Sequence, residues 1–247
     1  PFPGERFFDC VAGQCASRYA QVATVLSAWT DRVRTAVPSM HVWWAPFNFG
    51  PPFQGTPAPG EGVGYTFHSY CLGTDGGEPT QPDAVSNSLC QGVFEGAVRD
   101  ARNIGGRWDS PILLGEFGAS ASPLNSTRLT QLADEHLVSW MHWHCCGGAE
   151  VVRTNLVRTY AQATAGRPLS QRFDPASGDF EFRYRPDPSI AAPTVISVPA
   201  DAYPTGYGAA VQGGEITSPD ASGQLTVVAA PGATEVVVTV RRVAPAA

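Results

Sequence analysis

Three side chains have the types and spacing for chemistry on a carboxylate. Glu116 ends "ILLGEFGAS" (112–120), an apolar run of Ile112, Leu113 and Leu114 that closes among glycines. An acid at the end of a buried-looking strand costs desolvation unless it is paired or put to work. It is either a strand-end acid facing solvent or a catalytic carboxylate at the mouth of a barrel. In "GYTFHSYC", His68 and Tyr70 are two residues apart and so share a strand face. The same pattern would suit a core aromatic strand whose histidine meets a carbonyl. Set beside residues 112–117, however, the three converge on one cleft. There a tyrosine hydroxyl and an imidazole would keep a nucleophilic glutamate ionised and aimed. Trp143, in "SWMHWH", offers either core packing or a flat apolar wall for the C–H face of a sugar.

The elements that must position these residues alternate in type. Residues 16–37 place Tyr19, Val22, Val25, Leu26, Trp29 and Val33 at helical spacing, and "HVWWAPFNFG" reads as a short buried strand entering an aromatic loop. A Pro- and Gly-rich loop (51–64) leads to the strand "VGYTFHSYC". A helix over 87–104, the strand "PILLGEFG", a helix over 126–137 capped by Ser126 or Thr127, and the strand "VSWMHWHCC" follow. Strands apolar on both faces, alternating with helices, imply parallel β/α units. Polar groups gather at their C-terminal ends, where barrel enzymes keep their chemistry. After about residue 166 the pattern becomes short alternating strands divided by Pro, Gly and Asp turns, which predicts an antiparallel β-sandwich. Four β/α units cannot close an eight-stranded barrel. Either the sheet is smaller and open, or the first half of a barrel lies outside this sequence, which the abrupt start on Pro1 favours. The expected fold is α/β, the C-terminal half of a (β/α)8 barrel over 1–165, followed by a sandwich over 166–247.

Composition narrows the partners. The 247 residues carry a formal charge of −6, with 43% hydrophobic and 15% charged side chains. That balance excludes nucleic acid, which needs a basic face. No apolar run approaches the ~18 residues of a membrane-spanning helix. Six cysteines favour disulfides and an oxidising, secreted or extracytoplasmic compartment, with Cys10–Cys15 closing a small loop and Cys71–Cys90 a longer one. Cys145 and Cys146 stay unassigned. A metal at "MHWHCC" is not expected. His142 and His144 share a strand face that Cys145 does not, and no second Cys/His cluster with zinc spacing exists.

Taken in order, "PFPG" (1–4), "YTFHSYC" (65–71), "LLGEFGAS" (113–120), "SWMHWH" (139–144) and "RTYAQATAGRPLSQRFDPASGDFEFRYRP" (158–186) resemble the second half of a family 5 glycoside hydrolase. More narrowly, they resemble its endoglycoceramidase-like branch. The resemblance implies Glu116 as nucleophile on the seventh strand, His68 and Tyr70 as the His-x-Tyr of the sixth, and Trp143 as the eighth-strand tryptophan beside the reacting sugar. It also implies an acid/base glutamate immediately upstream of Pro1, so that the N-terminal half of the barrel is expected as a covalent or associated partner. "WWAPFNFGPPF" (43–53) is either core with a stiffened loop or an apolar shelf for a lipid aglycone, with Trp44 and Phe47 against substrate. The expected activity is retaining hydrolysis of the bond between sugar and lipid in glycosphingolipids, without a cofactor and with peripheral membrane contact. The alternatives are a family 5 enzyme acting on glucans or other β-glucosides, and a non-catalytic carbohydrate- or lipid-binding fragment. The sandwich, which lacks histidine, is expected to shield the barrel or help it approach a membrane-borne substrate.

Overall fold

A computed structural model describes residues 16–45, 58–71, 84–118, 123–143, 156–219 and 222–244. Their elements run α1 (Ala16–Ala36), β1 (Val42–Trp44), β2 (Val63–Ser69), α2 (Ala84–Trp108), β3 (Ile112–Phe117), α3 (Pro123–His136) and β4 (Ser139–Trp140). β5 (Tyr160–Ala163), β6 (Gly166–Phe173), β7 (Phe180–Pro186), β8 (Thr194–Ser197), β9 (Tyr207–Gln212), β10 (Gly214–Ile216), β11 (Gln224–Ala229) and β12 (Val236–Arg242) follow. They form two compact units: residues up to 118 with 138–143, and residues 123–137 with those from 156 onward.

The first unit is a four-stranded parallel sheet in the order β1-β2-β3-β4, as half of a β/α barrel requires. On β2, Tyr65, Phe67 and Ser69 are buried, whereas Thr66, His68 and Tyr70 are partly open. Tyr65 meets Trp108 of α2 edge-on, so the buried face is the one that α2 covers. Trp108 ends α2; Asp109 turns the chain with φ +48, and Ser110 N–H donates to Gly105 O. A side chain in that left-handed region is uncommon, and Asp is among the residues that tolerate it. The disulfide Cys71–Cys90 ties the end of β2 to α2 across a Cα–Cα distance of 5.4 Å. Peptide mapping without reduction should recover this pair, and replacing both cysteines by serine should cost about 3 kcal/mol of unfolding free energy in denaturant. Two free thiols at these positions would refute it.

The second unit is a β-sandwich of two antiparallel sheets, β10-β11-β8-β5 and β6-β7-β12-β9. Its core follows the period-2 alternation: Phe180, Phe182 and Tyr184 of β7, Val236, Val238 and Val240 of β12, and Leu225 and Val227 of β11. Two expectations are corrected here. The sandwich starts before residue 166, because β5 at Tyr160–Ala163 pairs with β8. β6, unforeseen as a strand, pairs with β7 at a sheet edge, the place in a sheet where a proline such as Pro168 is tolerated. α3, although it lies between β3 and β4 in the chain, belongs to this unit and packs against β6. There Asp134, 5% exposed, accepts from Gln171 Nε2 at 2.7 Å and pairs with the equally buried Arg158. The Arg158 guanidinium lies 5.4 Å from the Phe173 ring centroid, and burial pushes its pKa down to about 10.

Candidate active site

The site is assembled by register. Residues pair in step from Tyr65↔Ile112 to Phe67↔Leu114, but the next pairs are His68↔Glu116 and Ser69↔Phe117. Gly115 is thus an extra residue on β3, a bulge that re-aims the strand. Without it Glu116 would fall out of step with His68; with it, Glu116 shares the partly open face of His68 and Tyr70. A Cβ on Gly115 would lie 2.3 Å from Thr66 Oγ1, so any larger residue at this crossing forces Thr66 to shift. Three residues further on, Gly118 takes φ +75, a left-handed conformation that glycine adopts without steric cost.

The three polar groups meet as their spacing suggested. Tyr70 Oη donates to Glu116 Oε2 at 3.1 Å, and His68 Nδ1 lies 3.2 Å from the same oxygen. The imidazole nitrogen is near enough for an ionic contact when protonated, although it is not aligned for a hydrogen bond. Both contacts fall on one carboxylate oxygen, while among the described residues Oε1 accepts nothing. The Glu116 side chain keeps 29% of its surface exposed. A carboxylate oriented through one oxygen and open at the other can act as nucleophile or as base.

Trp143 lies just beyond β4, its N–H donating to Phe117 O at 3.0 Å. The rings of Trp140 and His142 pack edge-on against Phe117, at 5.5 and 5.4 Å. By alternation Met141 and Trp143 project to the opposite face, the face of Glu116, where Trp143 is 51% exposed. A flat apolar ring is therefore available one strand over from the carboxylate.

Trp44 does not line this face. It is 1% exposed, donates from Nε1 to Thr30 Oγ1 at 3.1 Å and meets Trp108 edge-on at 6.0 Å. Its ring is held between α1 and α2, so it is a packing residue and not a substrate wall. Its neighbour Trp43 takes the sheet's other face beside Gly64, well before the strand ends in register. Phe47, Cys10, Cys15, His144, Cys145 and Cys146 lie outside the described residues. Spacing alone did not single out Gly115 and Thr66, whose crossing sets the bulge; a glycine immediately before the acid was the one available signal.

Gly115→Ala should therefore lower the unfolding free energy by about 1–3 kcal/mol, the usual cost of overpacking. Adding Thr66→Ala removes the colliding Oγ1 and should restore most of it, since the next neighbours of that Cβ stand at 3.6 Å or more. Thermal unfolding of the single and double variants checks this; a double variant no better than the single would refute the crossing as the cause.

Comparison with known proteins bears on the fold and on overall resemblance. Residues 158–241 match the glycoside hydrolase family 5 C-terminal domain, which places the sandwich in that class. The chain as a whole is endoglycoceramidase-like. It is 33% identical over 254 residues to Endoglycoceramidase I of Rhodococcus hoagii (strain 103S), across 93% of this chain and 49% of that protein. The structure of Endo-glycoceramidase II from Rhodococcus sp. in a ganglioside GM3 complex superposes with a TM-score of 0.73 at 23% identity, over 99% of this chain and 57% of that one. The same enzyme as a lactosyl-enzyme intermediate gives a TM-score of 0.70 at 23% identity, over 99% and 57%. The chain spans about half the length of these relatives. The structural likeness establishes the fold, half of a β/α barrel with a β-sandwich.

Proposed function

We propose that this chain supplies the C-terminal half of a retaining β-glycosidase that cleaves glycosphingolipids between sugar and ceramide, with Glu116 as nucleophile. The observation that carries the reading is the strand-end Glu116, held through Oε2 by Tyr70 with His68 Nδ1 3.2 Å from the same oxygen, and open at Oε1. Glu116 attacks the anomeric carbon as the bond to the leaving oxygen breaks, and an acid/base glutamate from the preceding part of the barrel protonates that oxygen. A glycosyl ester on Glu116 results. The same acid/base, now a carboxylate, takes a proton from water, which attacks the anomeric carbon and releases Glu116. Trp143 forms a wall for the sugar ring. A lactosyl-enzyme intermediate, as named for the related Rhodococcus structure, is the species this scheme requires. Ganglioside GM3, bound in another structure of that enzyme, is the substrate type it favours. No cofactor takes part, and the Cys71–Cys90 bond supports an extracytoplasmic setting.

The test is to incubate the polypeptide carrying the whole barrel with a slow fluorinated β-glycoside and sequence the labelled peptide. The expected result is one sugar on Glu116 and a product that retains the anomeric configuration. A label on another residue, an inverted product, or no turnover of any β-glycoside would overturn the proposal.

A further inference from the structure

The outer face of the β6-β7-β12-β9 sheet carries a charge arrangement that its own fold does not explain. Arg167 of β6 stands directly opposite Arg185 of β7, so two guanidinium groups leave the same sheet face side by side. Like charges in directly opposed positions weaken a sheet. Elsewhere on this face arginines meet acids: Arg183 pairs with Glu181 and Glu235 at 3.4 Å each, Arg241 lies 3.6 Å from Asp179, and Arg172 stands opposite Glu181. Among the described residues no carboxylate pairs with Arg167 or Arg185. Asp187, the acid directly after β7, already accepts from Ser189 N–H and Oγ–H through Oδ1.

Apolar side chains stand at the same end of the sheet. Leu169 is the inserted residue of a bulge on the edge strand, between Pro168↔Tyr184 and Ser170↔Arg183, and is 39% exposed. Ile190, 42% exposed, sits in the turn after β7, where Ile190 N–H donates to Asp187 O and Asp187 N–H to Ala165 O. In a chain of net charge −6, two unpaired arginines beside two exposed aliphatic side chains select an anionic surface with an apolar interior.

We propose that Arg167, Arg185, Leu169 and Ile190 form a docking surface for an anionic lipid bilayer: the guanidinium groups meet lipid phosphates and the aliphatic side chains enter the headgroup boundary. This surface belongs to the sandwich and does not depend on the glycosidase reading, because it predicts binding of lipid that carries no sugar. The test is co-sedimentation of the protein with vesicles of phosphatidylcholine alone and of phosphatidylcholine containing roughly a third phosphatidylglycerol, a charge density that attracts basic residues. Binding is expected to the anionic vesicles only, and to weaken as salt rises. Arg167→Gln with Arg185→Gln should lower the partition coefficient at least tenfold, Leu169→Ser with Ile190→Ser should lower it as well, and Arg172→Gln should leave it nearly unchanged. Circular dichroism confirms that each exposed-site variant is folded. Equal binding to both vesicle types, no binding to either, an unaffected arginine pair variant, or a loss with Arg172→Gln as large as with the pair would overturn the proposal. So would displacement by a soluble anionic sugar at constant ionic strength, which would make the arginine pair a saccharide site.

Discussion

Glu116→Gln, made in the polypeptide that carries the whole barrel, should reduce turnover of a glycosphingolipid by several powers of ten, as removal of a nucleophile does. The amide keeps the size and shape of the side chain but cannot form the glycosyl ester. Tyr70 Oη can still donate to the amide oxygen, so the 3.1 Å contact that orients the side chain has a replacement. Stability should be unchanged or slightly higher, because the substitution takes a partly buried charge out of the sheet. The informative measurement is therefore a pair: activity and thermal unfolding on the same preparation. Loss of activity together with a collapse of the fold would mean that Glu116 is structural; retained activity would remove it from the reaction altogether.

The second large effect belongs to the sandwich unit. Asp134→Ala should destabilise that unit by about 3–5 kcal/mol, because it leaves the buried Arg158 guanidinium without its carboxylate. Gln171 Nε2 loses an acceptor in the same step. Replacing both members of the pair, Asp134→Ala with Arg158→Met, removes the stranded charge and fills part of the space beside Phe173, so it should recover most of the loss. Denaturant unfolding of the three variants, followed by a probe in the sandwich, gives the coupling between the two positions. A double variant as unstable as Asp134→Ala would show that the packing of α3 on β6, and not the ion pair, sets the cost. Sequence reading assigned no role to either residue, since 24 positions separate them and the run that begins at Arg158 carries no sign of its partner.

The amino-acid sequence alone determined whatever depends on local periodicity. Apolar strands alternating with helices defined parallel β/α units, and the two-residue spacing of His68 and Tyr70 put both on one face. The strand-end glycines marked Glu116, and the alternation of Phe180, Phe182 and Tyr184 announced the sandwich. Tertiary structure decided what depends on register and on partners distant in the chain. Trp43 and Trp44 are neighbours of one type, so nothing local says which meets the helices; packing against Trp108 and Thr30 selected Trp44. The bulge at Gly115 is visible only when β2 and β3 are laid side by side, and it alone brings Glu116 into step with His68. β5 and β6 carry weak alternation and a proline, and they are strands because β8 and β7 supply the hydrogen bonds their own residues do not demand. α3 carries an ordinary helical pattern, and its place in the second unit follows from a buried carboxylate that only the fold pairs with Arg158 and Gln171. Side-chain period is a property of a few consecutive residues, whereas register and charge pairing are settled by the free energy of the whole packed unit.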